Sequence, residues 1–283
     1  MINTVTTFNQ AGLELYGQQF LNTYAKNVDE QIKLTVYAED CKPVNPNPKQ
    51  ILILDQKEAL PELIRFKKTW KDVPMANGTC PFPQKRPHDY HKEFKWDAIR
   101  FANKVYAVFN ACEKYTEQIM SESGWVVWMD ADIVVHSPWS YDNFKAFLKE
   151  DKWITYVGRG KGSQTWPECG FYGINMSSSK ARQFVANLKW MYENANIGIF
   201  KLDEWHDSYV FGHVLNKFKT MYPDMYDVTA EMYLKEAKTG GGGHPIINCD
   251  LGKYIDHLKG DRKKIGKSHK KDLLVKRNEK YWK

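Results

Sequence analysis

A chain of 283 residues, 42% of them hydrophobic and 14% aromatic, is long enough to bury a sizeable core, which excludes a disordered polymer. No apolar run is long enough to cross a membrane, and the N-terminus has neither the basic nor the apolar part of a secretory signal peptide. The net charge of +7 is concentrated at the C-terminus. Residues 259–283 hold eleven Lys or Arg and three Asp or Glu, a charge of +8, so residues 1–258 carry a charge of −1.

The cysteines indicate a reducing compartment. Cys41, Cys80, Cys112, Cys169 and Cys249 are five in number and show no C-x-x-C spacing. An odd set without paired spacing is not typical of a disulfide framework or of a structural zinc site. We therefore expect free thiols and a cytoplasmic location.

The first forty residues predict a β-α-β unit. Residues 2–8 are rich in β-branched side chains and predict a strand, residues 9–28 carry apolar positions at helical spacing, and residues 31–40 predict a second strand. Two strands joined through a helix are typically parallel, with a right-handed crossover. The chain therefore begins as an α/β fold.

The remaining elements continue this α/β order. Strands are expected at 50–56, 124–135, 153–159 and 169–177, and helices at 59–71, 94–115, 143–151, 179–194 and 207–218. Residues 73–92 hold four prolines and predict a loop. We expect a single α/β domain over residues 1–269, with a mixed, mainly parallel central sheet flanked by helices, and a basic tail at 270–283.

Two carboxylates interrupt the apolar segment GWVVWMDADIVV at 124–135. Asp130 and Asp132 are one residue apart, and in a strand they would share one face, with Ala131 opposite. Charged side chains are rarely buried unless they are paired or bind a metal. Because ligands of open α/β sheets lie beyond the carboxyl ends of strands, we expect the pair to bind Mn²⁺ or Mg²⁺. The alternative is a strand end that starts a turn.

This segment resembles the D-x-D motif of GT-A glycosyltransferases, which use a divalent metal to hold a nucleotide diphosphate sugar. The preceding residues RFANKVYAVFNA resemble the helix that comes before this motif in several such families. Arg100 and Lys104 share one face of that helix. The resemblance implies that they reach the nucleotide sugar; the alternative is a solvated basic face. The implied fold is the Rossmann-like GT-A domain.

A second motif lies near the C-terminus. His257, Gly260 and Lys263 follow the pattern H-x-x-G-x-x-K, which resembles the C-terminal element of glycosyltransferase family eight, the glycogenin and galactosyltransferase group. The resemblance implies that His257 completes the metal site, that Gly260 brings backbone N–H groups to the diphosphate and that Lys263 contacts a phosphate. The Pro-Trp pair that continues the family's motif is absent here, and a basic helix end capped by Gly260 is the alternative.

Two more segments lie between these motifs. PECGFYGIN resembles the strand after D-x-D in these enzymes, and EWHDSYVF resembles the acidic segment that opens the next helix. We expect Glu168 and Asp207 near the reacting anomeric carbon; the alternatives are an exposed glutamate and a helix N-cap. Trp166, Trp205 and His206 are expected on the acceptor side, because aromatic rings offer flat apolar faces to sugars.

The ends of the first two strands complete the expected nucleotide-sugar site. By strand-end topology and the same resemblance, the nucleobase and ribose contact Thr6, Thr7, Phe8, Asn9, Ala38 and Asp40. Ala131, between the two aspartates, is also expected to contact the nucleotide sugar. Acceptor choice usually depends on variable loops, here expected at residues 73–92 and 160–168.

Together these motifs predict a metal-dependent glycosyltransferase that moves a sugar from a nucleotide diphosphate sugar, by family default a UDP-sugar, to an acceptor, with retention of configuration. Mn²⁺ or Mg²⁺ is the expected cofactor. Two alternatives stay open. One is a nucleotidyltransferase that makes a nucleotide sugar, although no glycine-rich loop follows the first strand. The other is a nucleic-acid-binding protein that uses the basic tail, which is also a candidate contact for an anionic surface.

Overall fold

A mixed β-sheet forms the centre of the computed structural model, which describes residues 1–118, 124–161, 166–232 and 244–283. The strands are β1 (Ile2–Asn9), β2 (Lys33–Glu39), β3 (Ile51–Asp55), β4 (Trp125–Met129), β5 (Ile133–Val135), β6 (Ile154–Val157), β7 (Glu168–Asn175), β8 (Tyr226–Asp227) and β9 (Ile255–His257). Seven of them form one sheet in the order β3-β2-β1-β4-β7-β6-β8. Only β7 runs antiparallel to its neighbours in this sheet, so the predicted mixed, mainly parallel α/β fold is confirmed.

Helices cover both faces of this sheet. They are α1 (Gln10–Gly12), α2 (Gln18–Asn27), α3 (Gln56–Ala59), α4 (Pro61–Trp70), α5 (Ala98–Gln118), α6 (Tyr141–Lys145), α7 (Ser179–Glu193), α8 (Asp207–Met221), α9 (Pro245–Asn248) and α10 (Arg262–Ile265). The core on one face comes from α4, α5, α7 and α8, and the core on the other from α2, α6 and α9. No helix in the described part of the chain is both long and apolar enough to span a membrane.

Local sequence signals set the ends of several helices. Asn9 caps α1, because its side chain accepts a hydrogen bond from Gly12 N at 2.8 Å. Asp55 caps α3 in the same way, and Pro61 occupies the first turn of α4, where its missing N–H costs no helical hydrogen bond. α1 begins directly after β1, and the last residues of β1, Thr7 to Asn9, face a cleft.

The prediction of one continuous strand over residues 124–135 is wrong. β4 ends at Met129, and the chain then turns, with Ile133 N donating to Asp130 O at 3.2 Å. β5 leaves the large sheet and pairs antiparallel with β9, so that Ile133 lies opposite His257. The break occurs because the backbone beyond the turn finds its hydrogen-bond partners in a second, two-stranded sheet.

The C-terminal residues pack against this second sheet. Trp282 is buried, and its Nε1 donates to Gly252 O at 2.8 Å. Tyr281 OH donates to Asp256 Oδ2 at 2.8 Å, and its ring stacks on His136 with 4.2 Å between ring centroids. The end of the chain is therefore part of the folded body and lies directly behind β9.

Candidate functional site

A cleft of about 730 Å³ opens at the carboxyl ends of β1 and β4. From β1 the chain moves outward through β2 to β3, and β4 then lies on the other side of β1. This reversal of strand order is where open α/β sheets bind their ligands. Of the residues expected from the sequence, the cleft is lined by Thr7, Phe8, Asn9, Arg100, Lys104, Asp130, Ala131, Asp132, Glu168, Asp207, His257, Gly260 and Lys263.

Asp130, Asp132 and His257 form a compact cluster in this cleft. The Nε2 atom of His257 lies 3.4 Å from Asp130 Oδ2 and 3.2 Å from Asp132 Oδ1. One possible metal ligand from each residue falls within 4.8 Å of the other two. The antiparallel pairing of β5 with β9, extended by a hydrogen bond of 2.9 Å from Leu258 N to Asp132 O, brings the two sequence motifs together.

The imidazole of His257 is buried against the backbone of β7. A Cβ atom on Gly170 would lie 2.6 Å from Cε1 of His257, so a side chain at this position would displace the ring. Burial by itself lowers the pKa of His257, but the neighbouring Asp132 and Asp130 carboxylates offset this and raise the pKa to about 9. The imidazolium thus balances part of the charge of the two carboxylates.

The donor set of this cluster fits a divalent cation. Two carboxylates and one imidazole are ligands that Mn²⁺ accepts, and carboxylates also suit Mg²⁺. Asp132 Oδ1 is buried and receives no well-directed hydrogen bond from the described residues. Its nearest donor is His257 Nε2 at 3.2 Å, and a cation would bind this buried oxygen more directly. Such a cation would take the place of the imidazole proton, because a metal binds neutral histidine.

Lys104 connects the cluster of Asp130, Asp132 and His257 to the carboxylate of Asp207. Its side chain is 8% exposed, and Nζ lies 2.9 Å from Asp130 Oδ1 and 2.7 Å from Asp207 Oδ2, with a third contact to Cys169 O. Burial lowers the pKa of Lys104, and the two aspartates more than reverse this, so it stays charged. All three N–H donors of Lys104 are used within the protein, so it orients carboxylates, whereas the sequence indicated a contact with the nucleotide sugar.

Positive charge and open backbone lie beside the cluster. Lys263 Nζ is 2.8 Å from Asp132 Oδ2. Gly260 has a φ of +60°, and nothing lies within 4 Å of the place where a Cβ would be, so its backbone is exposed in a conformation that favours glycine. Arg100 also lines the cleft and makes no ion pair with any described residue. This side of the cleft is therefore suited to an anionic ligand.

Glu168 is a buried carboxylate and not the exposed glutamate of the alternative interpretation. It is 5% exposed and accepts a hydrogen bond of 2.8 Å from Arg159 and another from Lys259. Burial raises the pKa of Glu168, but Lys259 and Arg159 together hold it well below its usual range. Asp207 is the first residue of α8, and the helix cap is its neighbour His206, whose side chain accepts from the backbone. Both predicted catalytic carboxylates therefore line the cleft, and each is paired with a lysine.

Three of the expected strand-end residues lie away from the cleft. Thr6 is fully buried because successive side chains of a strand point to opposite faces. Ala38 is also buried, and the cleft is lined instead by its neighbour Glu39. Asp40 lies outside, exposed to solvent and paired with Lys57 at 2.6 Å.

The three expected acceptor-side residues have different positions, and none of them lines the cleft itself. Trp205 is fully buried, and its Nε1 donates to Leu202 O at 3.2 Å, so it has no free face for a sugar. The ring of Trp166 is half-buried, 4.3 Å from that of Tyr209. His206 adjoins the cleft residue Asp207. Part of the expected acceptor loop, 162–165, lies outside the described residues.

Several cleft residues were not predicted from the sequence. They are Tyr16, Glu39, Phe94, Phe101, Asn103, Trp128, Cys169, Ser208 and Lys259. Glu39 follows a predicted strand and so carried a usable signal, since polar residues at strand ends commonly face ligands. Lys259, Trp128 and Ser208 each lie within two residues of a predicted site residue. For Phe94 and Tyr16 the sequence offers no signal that separates a cleft position from a core position.

Comparisons with known proteins locate similar folds. No family model matches the chain, and no curated protein does. Among solved structures, the chain is similar to mouse xyloside xylosyltransferase 1, with 8% identity and a TM-score of 0.42 over 80% of this chain and 83% of that one. It is also similar to the glycosyltransferase GlyE of Streptococcus pneumoniae TIGR4, with 10% identity and a TM-score of 0.39 over 80% of this chain and 44% of that one. The galactosyltransferase LgtC shows 11% identity and a TM-score of 0.39 over 80% of this chain and 73% of that one. At these TM-scores, the similarities carry no conclusion about the ligand or the activity of this chain.

Proposed function

We propose that this protein is a metal-dependent glycosyltransferase that uses a nucleotide diphosphate sugar, with UDP as the expected nucleotide, and transfers the sugar to an acceptor with retention of configuration. The observation that carries this proposal is the meeting of Asp130, Asp132 and His257 at the reversal point of the sheet. This set lies beside Lys263 and Gly260, as a diphosphate site requires. The order and chemistry of the two motifs match those of family-eight GT-A enzymes.

Binding of the donor follows from the distribution of charge around the cleft. Asp130, Asp132 and His257 would hold Mn²⁺ or Mg²⁺, and Lys263, which lies 2.8 Å from Asp132, would contact the diphosphate beside them. The exposed backbone of Gly260 offers an N–H group to the phosphates. The nucleoside lies along Thr7, Phe8 and Asn9 at the end of β1, with Glu39 replacing Ala38 and Asp40 as the residue from β2.

The chemical step is loss of the diphosphate from the anomeric carbon. A divalent cation held there would supply Lewis-acid stabilisation of the departing diphosphate. Lys263 adds positive charge next to it, already in place before reaction. Glu168 and Asp207 each have a lysine partner, so they are placed to orient the donor sugar and to stabilise positive charge on its ring. Since neither is a free nucleophile, the acceptor hydroxyl would attack on the same face as the leaving diphosphate. The C1–O bond to the diphosphate breaks as the new C1–O bond forms, and the departing diphosphate takes the hydroxyl proton, which gives retention.

The two alternative functions have less support from the geometry. A nucleotidyltransferase would need a glycine-rich phosphate loop after β1, and here α1 begins at Gln10, directly after the strand. A nucleic-acid-binding tail would need free basic residues, but Arg262 pairs with Asp272 at 2.6 Å, and Arg277 donates to Ile247 O at 2.7 Å. Some of the terminal basic residues therefore stabilise the fold.

The proposal is tested with nucleotide sugars and requires no knowledge of the acceptor. A panel of UDP-, GDP- and ADP-sugars is incubated with the protein and Mn²⁺, and release of the nucleoside diphosphate is measured. We expect slow, metal-dependent hydrolysis of at least one UDP-sugar, and calorimetric binding of UDP that disappears with a chelator. Binding of nucleoside triphosphates with release of pyrophosphate, or no nucleotide binding at all, would contradict the proposal.

A further inference from the structure

An aromatic surface lies at one side of the cleft, and the chemistry proposed above does not use it. Phe94 and Phe101 line the cleft, and both rings approach the imidazole of His206, with centroid distances of 5.7 Å and 6.1 Å. We call these three residues the aromatic wall. The planes are tilted by 56° and 57°, so the rings do not cover one another's faces.

The wall adjoins the predicted reacting centre. His206 immediately precedes Asp207, whose carboxylate is 2.7 Å from Lys104 Nζ. Phe101 lies on α5, one helical turn before Lys104. A ligand resting on the wall would therefore lie next to Asp207, where the donor sugar is expected.

The imidazole of His206 adjoins the cleft without lining it, so it supports the rings of Phe94 and Phe101 and offers the cleft no free polar atom. Its Nδ1 accepts from Tyr209 N at 3.4 Å, so Nε2 carries the proton and donates to Glu204 Oε2 at 3.0 Å. With both nitrogens used, His206 is not available as a base for the acceptor. Its remaining contact surface is the ring itself.

Phe94 is held in an exposed position by the structure around it. Its side chain is 45% exposed, although it lies in the cleft, where most large apolar side chains of this fold would be covered. The next residue, Lys95, donates to Glu204 at 2.8 Å and accepts Trp205 N at 2.7 Å through its carbonyl oxygen. Glu204 therefore fixes His206 and the turn that carries Phe94 together, and the wall is formed before any ligand binds.

Polar groups at the edge of the wall suit hydroxyl groups. Asn103 and Ser208 line the same cleft, and Asn103 Oδ1 is buried without a hydrogen-bond partner among the described residues. Flat apolar rings beside such groups match the C–H face and the hydroxyl edge of a pyranose. An amine acceptor would favour a free carboxylate, but Asp207 is already paired with Lys104.

We propose that Phe94 and Phe101, the two rings of the aromatic wall that line the cleft, bind a sugar ring of the acceptor with His206 supporting them, so that the acceptor is a carbohydrate. This inference rests on the proposed function, which supplies the nucleotide sugar donor, but glycoside binding by the aromatic wall can be tested separately. Recognition comes from the apolar face of the sugar against the rings, and orientation comes from the polar edge formed by Asn103 and Ser208.

The test is saturation-transfer NMR with a panel of methyl α- and β-glycosides of hexoses and N-acetylhexosamines, recorded with and without UDP and diamagnetic Mg²⁺. We expect transfer to the ring C–H protons of at least one glycoside. Phe94→Leu and Phe101→Leu keep an apolar side chain but remove the ring, and each should lower the affinity for that glycoside about threefold to tenfold. Phe94→Tyr should retain binding, and Trp190→Ala, which removes a 47% exposed ring elsewhere, should change nothing.

The outcomes separate this proposal from the proposed function. If no glycoside shows transfer, or if both leucine variants bind the glycoside as well as the native protein does, the aromatic wall is overturned even if UDP binds with metal. Loss of UDP affinity in the leucine variants would also overturn it, because the rings would then contact the nucleobase. Glycoside binding that depends on the wall, in a protein that binds no UDP, would support the wall and contradict the proposed donor.

Discussion

The imidazole Nε2 of His257 lies 3.2 Å from Oδ1 of Asp132, although the two residues are far apart in the sequence. They meet because β5, which follows the D-x-D segment, pairs with β9, which ends at His257. The large sheet positions Asp130 and the small sheet positions His257, and the turn between β4 and β5 carries Asp132. The candidate metal site therefore depends on the correct contact between two separate sheets.

Replacing Gly170 by Ala should disturb metal binding without removing a ligand. The new Cβ would lie 2.6 Å from Cε1 of His257, so the imidazole must move away from the two aspartates. We expect Mn²⁺ affinity to fall about 10- to 100-fold, as for changes in groups that support a metal ligand. Gly173→Ala is the control. Gly173 lies in the same strand as Gly170, but its new Cβ would meet Leu148 and Trp125 and not His257. If both variants lose equal metal affinity, Gly170 does not act through His257.

Lys104→Met should destabilise the protein strongly. The substitution leaves the carboxylates of Asp130 and Asp207 without their shared cation, and breaking a buried pair in this way costs about 3–5 kcal/mol of unfolding free energy. Denaturant unfolding measures the effect, and adding Asp207→Asn should recover part of it. Lys189→Met removes a more exposed ion-pair partner and should cost about 1 kcal/mol or less. Equal costs for the two lysine variants would contradict the bridging role.

Glu204 should give the protein a pH-dependent contribution to stability. Burial raises the pKa of Glu204, but hydrogen bonds from His206 and Lys95 lower it to about 2, below its ordinary value in the unfolded chain. Its stabilising effect is therefore complete above the unfolded pKa and is lost as the pH falls towards about 2. We expect Glu204→Gln to lower the unfolding free energy by about 1–3 kcal/mol at neutral pH. The difference from the native protein should shrink in acid; a difference that stays constant with pH would contradict this role.

Trp282→Ala should show that the chain end stabilises the second sheet. The indole is buried and donates to Gly252 O at 2.8 Å, so truncation leaves a cavity and an unpaired carbonyl. Loss of a buried tryptophan typically costs about 3–5 kcal/mol. Thermal and denaturant unfolding of the variant are compared with those of a chain lacking only the exposed Lys283. Equal stability of these two proteins would mean that the C-terminal packing contributes little.

The grouping of Asp130, Asp132 and His257 was predictable because each of its two motifs is a local signal. An apolar segment that ends in Asp130 and Asp132 indicates a ligand at a strand end, and a glycine placed between His257 and Lys263 indicates close approach of backbone. The strand prediction was wrong at the turn, since the pairing of β5 with β9 depends on residues far away in the sequence. This error did not change the predicted grouping of the three residues, because the turn still directs both carboxylates towards the imidazole.

Other site residues could not be placed from the sequence, for physical reasons. In β2, neighbouring side chains point to opposite faces of the sheet, so an error of one residue selects the wrong face. Ala38 was predicted to line the cleft, and its neighbour Glu39 does so. The composition of a segment does not tell whether an indole is covered, and Trp205 is packed in the core. The pairing of Lys104 with Asp207 requires α5 and α8 to lie side by side, which only the tertiary packing decides.

The central claim is that Asp130, Asp132 and His257 bind one divalent cation together with a nucleoside diphosphate. The most direct measurement is a Mn²⁺ titration with UDP present, in which electron paramagnetic resonance counts the free cation. We predict one Mn²⁺ per chain, with affinity reduced about 100-fold or more in Asp132→Asn and in His257→Ala. Asp40→Asn, the same change at an exposed strand end, should bind as the native protein does. Native binding by Asp132→Asn and His257→Ala, or no binding by the native protein, would contradict the claim.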